Sequence, residues 1–148
     1  MNLYLGSSAL VKRYVTEAGS ADVRNVVSAA TFTSTSAISR AEVSAALARA
    51  VRVGALTAGS ARACLDAFRR DWPSLLRVQV SEVIVARADV LGWKHGLRGY
   101  DSVQLACAAS WQDFLGSTVT LPTYDKPLWC AAQVEGLYSC LDYYQEVS

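Results

Sequence analysis

Short apolar runs alternate along this chain with longer stretches whose apolar residues recur every three or four positions. Asn2 to Leu5, with Leu3, Tyr4 and Leu5, reads as a short buried strand. Ser7 or Ser8 is placed to cap a helix through Ala9, Leu10, Val11 and Tyr14. Gly19-Ser20 opens a helix over 21–30, with Val23, Val26 and Val27 on one stripe, and 31–35 is rich in β-branched residues. Ser39 precedes a helical stretch over 40–53 that Gly54 closes; Val43, Ala46, Leu47 and Ala50 predict one buried face within it. A further helix is expected over 57–71, ended by Trp72-Pro73, followed by a strand over 75–80. Ser81 caps a helix through Val83, Ile84, Ala86, Ala88 and Leu91 that ends near Gly96. The Arg98-Gly99-Tyr100 turn leads to a helix over 101–113, then a strand over 118–121. A helix from Asp125 to Glu135 stops at Gly136, and a last strand is expected over 137–141, with 142–148 a loosely held tail.

Strands separated by helices pair in parallel through right-handed crossovers, which places helices on both faces of the sheet. The expected object is one domain over 1–148, α/β in class, with three layers (α/β/α) around a mainly parallel sheet. With 148 residues, the chain has the length of a single domain and needs no disulfide or structural metal to hold a core. A charged fraction of 18% and a net charge of +1 argue against a disordered polymer, an acidic tail or a histone-like basic protein. A mean hydropathy of +0.20 predicts a large core, an apolar partner surface, or both. No apolar run approaches the length of a membrane span, and the N-terminus has no basic segment leading a long apolar one, so a cytoplasmic, membrane-free protein is expected. Cys64, Cys107, Cys130 and Cys140 form no CxxC pair and His95 is the one histidine, so free buried thiols are expected rather than a zinc site.

In open parallel sheets, ligands bind at the carboxyl ends of the strands. Glu42, Asp101 and Asp125 each fall near a helix start that such a fold brings to that end. Singly, each is explained by the gain of about 0.3–1 kcal/mol that a carboxylate makes near a helix N-terminus. Jointly, clustered carboxylates repel one another unless a cation neutralises them, and oxygen-only donors suit magnesium or manganese.

The run from Leu3-Tyr4-Leu5-Gly6-Ser7-Ser8 to Tyr14 resembles the opening of PIN-domain proteins, in particular the VapC-type toxins of toxin–antitoxin pairs. The resemblance continues through Thr35-Ser36 and Ser39-Arg40-Ala41-Glu42, through Gly96 to Ala106 with Arg98-Gly99-Tyr100-Asp101, through Pro122-Thr123-Tyr124-Asp125-Lys126-Pro127-Leu128, and to Gly136-Leu137. It implies a PIN-like fold and a metal-dependent endoribonuclease, using Mg2+ or Mn2+ to cleave RNA of the tRNA or rRNA class. Glu42, Asp101 and Asp125 match three of the family's acids, and Thr123 matches the hydroxyl residue that precedes the last of them. Thr123 would orient water or cap the final helix. The family's first acid falls on Gly6, where this chain has no carboxylate. That replacement, whether introduced, selected or naturally degenerate, implies an inactivated or weakened enzyme. The alternative is a non-catalytic PIN-like module that binds antitoxin or RNA.

Lys12, Arg13, Arg40, Arg98 and Lys126 lie close in sequence to these segments and are candidates for RNA phosphates, with ordinary solvated surface the alternative for each. Tyr100 and Tyr124 could stack on a base, although packing suits them as well. The resemblance further implies a homodimer and a cognate antitoxin whose C-terminal segment lies across the active-site groove, with no DNA binding by this chain alone.

Overall fold

The structure is a computed structural model, and it describes residues 1–139. Its strands are β1 (Asn2–Tyr4), β2 (Phe32–Ser36), β3 (Leu76–Val78) and β4 (Val119–Thr120). Its α-helices are α1 (Ser7–Tyr14), α2 (Ser20–Ala29), α3 (Ser39–Arg52), α4 (Ala58–Asp71), α5 (Glu82–His95), α6 (Gly99–Leu115) and α7 (Lys126–Val134). One sheet in the order β3-β2-β1-β4 holds the strands, and every pairing in it is parallel. Leu3 sits opposite Thr33 on one side and Thr120 on the other, so β1 is central.

The period-two alternation of β1 divides the core. Leu3 and Leu5 point into a cluster built with Leu10, Val23, Val43, Leu47 and Phe68 of α1 to α4. Tyr4 points the other way, into a cluster with Ile84, Leu91, Leu105, Trp111 and Leu128 of α5 to α7. The sheet is therefore covered on both faces, and the α/β/α layering read from the alternation of elements is the observed architecture. A strand buried on both faces can be continuously apolar, as Leu3-Tyr4-Leu5 is.

Several boundaries differ from the sequence reading for local reasons. Neither Ser7 nor Ser8 caps α1: Gly6 is the N-cap, without a side-chain bond, and Ser7 is already helical. The strand expected over 75–80 is shortened to Leu76–Val78: at its start Leu75 is the C-cap of a 3-10 turn over Trp72–Ser74, and beyond its end Ser81 already caps α5. The helix expected over 101–113 runs from Gly99 to Leu115, so Asp101 lies inside its first turn. The expected last strand is represented among the described residues by a single parallel bridge, Thr120 to Tyr138; residues 140 and 141, Cys140 and the tail lie outside them. On α3, Val43 and Leu47 are buried, whereas Ala46 is exposed and Ala50 half-buried. Cys107 is buried as expected, Cys64 is half-buried, and Cys130 is exposed. Trp72 and Trp111 are core residues, and Trp93 is 92% exposed. No helix among the described residues is long and apolar enough to cross a membrane.

Candidate active site

Gly6 follows β1, Glu42 sits in the first turn of α3 after β2, and Asp125 is the N-cap of α7 after β4. Parallel pairing brings these strand ends to one edge of the sheet. Asp101 reaches the same place by another route: α6 follows α5 rather than a strand, and packs with it against the sheet. A groove of about 950 Å3 results, lined by Glu42, Asp101 and Asp125 together with Ser7, Lys12, Arg98 and Tyr100. Acids that are 59 and 24 residues apart in sequence thus face one volume.

Glu42 is held most tightly. Its Oε1 accepts a hydrogen bond from Gln104 Nε2 at 2.7 Å. Gln104 is buried, and its Nε2 also donates to Ser39 Oγ at 3.0 Å while its Oε1 accepts from the Tyr4 hydroxyl at 2.6 Å. The Ser39 hydroxyl in turn donates to Thr35 Oγ1, whose own hydrogen goes to the Leu5 carbonyl. Burial raises the Tyr4 phenol well above its ordinary pKa, so it serves as a donor at neutral pH. This network runs from β1 through α6 to the Glu42 carboxylate. Its members carried a signal in the sequence: Gln104 lies three residues after Asp101 on α6, hence on a shared face, and Tyr4 is the polar-tipped residue in an apolar strand. The sequence reading nevertheless missed Gln104, Tyr4 and Ser39 as site residues.

The Glu42 carboxyl is raised above its ordinary pKa, chiefly by burial. The Gln104 amide and the Ser7 hydroxyl pull it back down, and the neighbouring Asp101 charge pushes it up. Asp101 and Asp125 are treated differently, because Arg98 joins them. Its Nε donates to Asp101 Oδ2 at 3.0 Å, and a terminal nitrogen donates to Asp125 Oδ2 at 3.3 Å. The other Asp125 oxygen accepts from the Leu128 backbone N–H at 2.9 Å, capping α7.

Thr123 is buried, and its hydroxyl oxygen accepts from the Asp125 backbone N–H at 3.1 Å, which shapes the loop into α7. Lys12 reaches the groove wall but bonds Glu17 Oε1 at 3.0 Å and the Ala18 carbonyl, and lies 4.6 Å over the Tyr124 ring. Arg13 faces Asp71 at 3.6 Å, away from the groove lining. Arg40 stands over the Trp72 ring. Lys126 is the exposed first residue of α7. His95, at the end of α5, meets Glu135 at 2.6 Å.

Among the described residues, no three His, Cys, Asp or Glu side chains form a ready-made metal cluster. The donor chemistry still fits a hard cation held by fewer protein ligands, since Glu42 and Asp101 supply oxygen alone and their charges interact. Magnesium commonly binds through one or two carboxylates and keeps several waters. Position 6 has room for a further ligand. A Cβ placed on Gly6 meets no heavy atom within 4 Å, and its φ of −67° and ψ of 166° suit any residue. Nothing in the backbone there requires glycine.

No protein-family model matches this chain, and no curated protein matches it. Solved structures do. FitAcB from Neisseria gonorrhoeae is similar over 96% of this chain and 99% of its own, at 15% identity and a TM-score of 0.64. VapBC2 from Rickettsia felis, solved bound to a DNA fragment from its promoter, is similar over 95% of this chain and 98% of its own, at 15% identity and 0.63. A toxin–antitoxin complex from Klebsiella pneumoniae is similar over 84% of this chain and 88% of its own, at 13% identity and 0.57. At these identities the likeness establishes the fold: the chain is a parallel α/β domain of the PIN-like kind.

Proposed function

We propose that this protein is the toxin of a toxin–antitoxin pair, a metal-dependent endoribonuclease of VapC type weakened by Gly6. The observation that carries the reading is the convergence of Glu42, Asp101 and Asp125 on one open groove beside the end of β1. The likeness in fold to proteins solved as toxin–antitoxin complexes supports it, as do the sequence motifs that resemble PIN-domain toxins.

Glu42 and Asp101 would hold a magnesium or manganese ion, with Asp125 at its margin. When bound, such an ion supplies Lewis acidity, ionising water near neutral pH and offsetting charge that develops on phosphate oxygens. The protein's part is positioning. The Gln104 network and the Ser7 hydroxyl hold the half-buried Glu42 carboxylate at the groove. Arg98 spans Asp101 and Asp125, and its planar guanidinium has the geometry to transfer to a phosphate once a cation neutralises the two acids. Tyr100, 62% exposed on the groove wall, offers a ring face to a base.

Partners belong to the same reading: a cognate antitoxin across the groove, an RNA substrate, and a second copy of this chain. Val83, Val90 and Trp93 of α5 are exposed at spacings of seven and three, an apolar stripe that a partner would cover.

The test restores the missing acid. Gly6→Asp is expected to cut structured RNA in Mg2+ or Mn2+, to lose that activity in EDTA, and to arrest growth unless the antitoxin is co-expressed. A Gly6→Asp protein that folds and takes up metal but leaves tRNA and rRNA intact would sink the nuclease reading. The second reading, a non-catalytic module, is favoured by one specific feature: without a carboxylate at position 6, the Arg98 guanidinium already satisfies two of the three acids.

A further inference from the structure

The basic residues that line the acid groove are matched by carboxylates: Lys12 by Glu17, and Arg98 by Asp101 and Asp125. Arg40 is not. It lines a separate cleft of about 370 Å3 between the first half of α3 and the second half of α4, with Arg69 on the facing wall and no acid in the lining. The Arg40 guanidinium lies 6.0 Å from the Trp72 ring centre, and that of Arg77 lies 5.6 Å from the same ring. Arg77 donates to the backbone carbonyls of Trp72 and Leu75. Among the described residues, none of these three arginines meets a carboxylate. Arg40 and Arg69 share the cleft, Arg40 and Arg77 share the Trp72 ring, and positive charge left without a carboxylate is open to a polyanion. The planar donor fork of arginine suits phosphate oxygens in particular.

The position of the cleft selects the polyanion. Arg40 and Glu42 are two residues apart on α3, which at 3.6 residues per turn places them on opposite sides of the helix. Accordingly, Glu42 lines the acid groove and Arg40 the basic cleft. The two sites flank the first turn of α3, about one helix diameter apart, or ~10–12 Å. A flexible single strand seated at the acids would cross the start of α3 and deliver its next phosphates to the cleft.

We propose that Arg40, Arg69 and Arg77 form a backbone-phosphate site for single-stranded RNA, extending the substrate path beyond the acid groove. The choice of RNA as the polyanion rests on the nuclease reading above. Contacts of this kind set affinity and register without reading sequence.

Fluorescence polarisation with a labelled single-stranded RNA, across a range of salt concentrations, tests the site on the intact chain. Arg40→Gln/Arg69→Gln is expected to weaken binding at least about tenfold at low salt. It should also flatten the plot of log affinity against log salt by about 1.4, at roughly 0.7 per lost phosphate contact. Arg24→Gln on α2, an exposed arginine with no ion pair among the described residues, removes charge elsewhere and should leave binding nearly unchanged. An unchanged affinity and slope in the double variant, or an equal loss in Arg24→Gln, overturns the proposal. So does an absence of RNA binding by the unaltered chain, or an Arg40-dependent affinity for polyglutamate without affinity for RNA. The two readings separate cleanly: if Gly6→Asp cuts nothing yet the double variant loses RNA, the nuclease assignment falls and the cleft remains an RNA site.

Discussion

Gln104 shows how much of this site is decided by a single side chain. Its amide serves Tyr4, Ser39 and Glu42 at once, in a place from which water is excluded. Gln104→Leu removes an acceptor and a donor that these neighbours cannot replace. We expect it to cost about 1–3 kcal/mol for each polar group left unpaired, measured by urea unfolding. Glu42 gives a prediction with a definite sign in pH. Its folded pKa lies above the ordinary 4.5, so the native state binds the extra proton, and stability falls as pH rises from about 4.5 through the raised value. Glu42→Gln should therefore melt higher than the unaltered chain at pH 7 and equal to it at pH 3. Mg2+ should raise the melting temperature of the unaltered chain and leave that of Glu42→Gln where it was. A gap that does not change with pH would refute the burial argument. At this scale the sequence displayed the acids, but the raised carboxyl and its amide partner depend on groups 62 positions apart along the chain.

Among the elements, α7 has its start specified twice. Asp125 Oδ1 accepts the Leu128 N–H, and Thr123 Oγ1 accepts the Asp125 N–H. The cap and the charge of Asp125 can be separated. Asn keeps a capping oxygen and Ala does not, so Asp125→Ala should lose about 1 kcal/mol of stability while Asp125→Asn loses little. In the Gly6→Asp background, both are expected to lower RNA cleavage, because both break the Arg98 bridge and remove the acid. Equal activity of Asp125→Asn and its parent would reduce Asp125 to a structural cap. Between α5 and α7, Glu135 binds Lys94 and His95, each at 2.6 Å, and the Lys94 bond leads in holding its carboxyl below the ordinary value. That stabilisation is present above about pH 4.5 and is lost as pH falls through the depressed value, so the deficit of Glu135→Gln at pH 7 should close under acid unfolding. Helix existence and order were legible from spacing alone, with Gly96 and Gly136 marking ends by their positive φ. The start of α6 was not legible, because its N-cap, Arg98, makes no side-chain capping bond.

On the scale of the whole molecule, the proposed second copy is checked by sedimentation equilibrium, where a mass near twice 15.9 kDa is expected. Trp93→Asp should move that mass toward the monomer, because it places a charge in the exposed stripe of α5. The pattern of apolar positions determined the class of fold here, since strands that alternate with helices and are buried on both sides can only pair in parallel under two helical layers. The acids themselves are read directly from the sequence, and the resemblance to PIN-domain toxins is what implies a missing acid at Gly6. What tertiary structure decided is which groups share a volume. Parallel pairing stacks the ends of β1, β2 and β4 at one edge. The α5–α6 hairpin then inserts Asp101 and Gln104 there, Arg98 spans two of the acids, and Arg40 is turned to the far side of α3. Such relations depend on contacts between residues remote in sequence, and a local period carries no record of them.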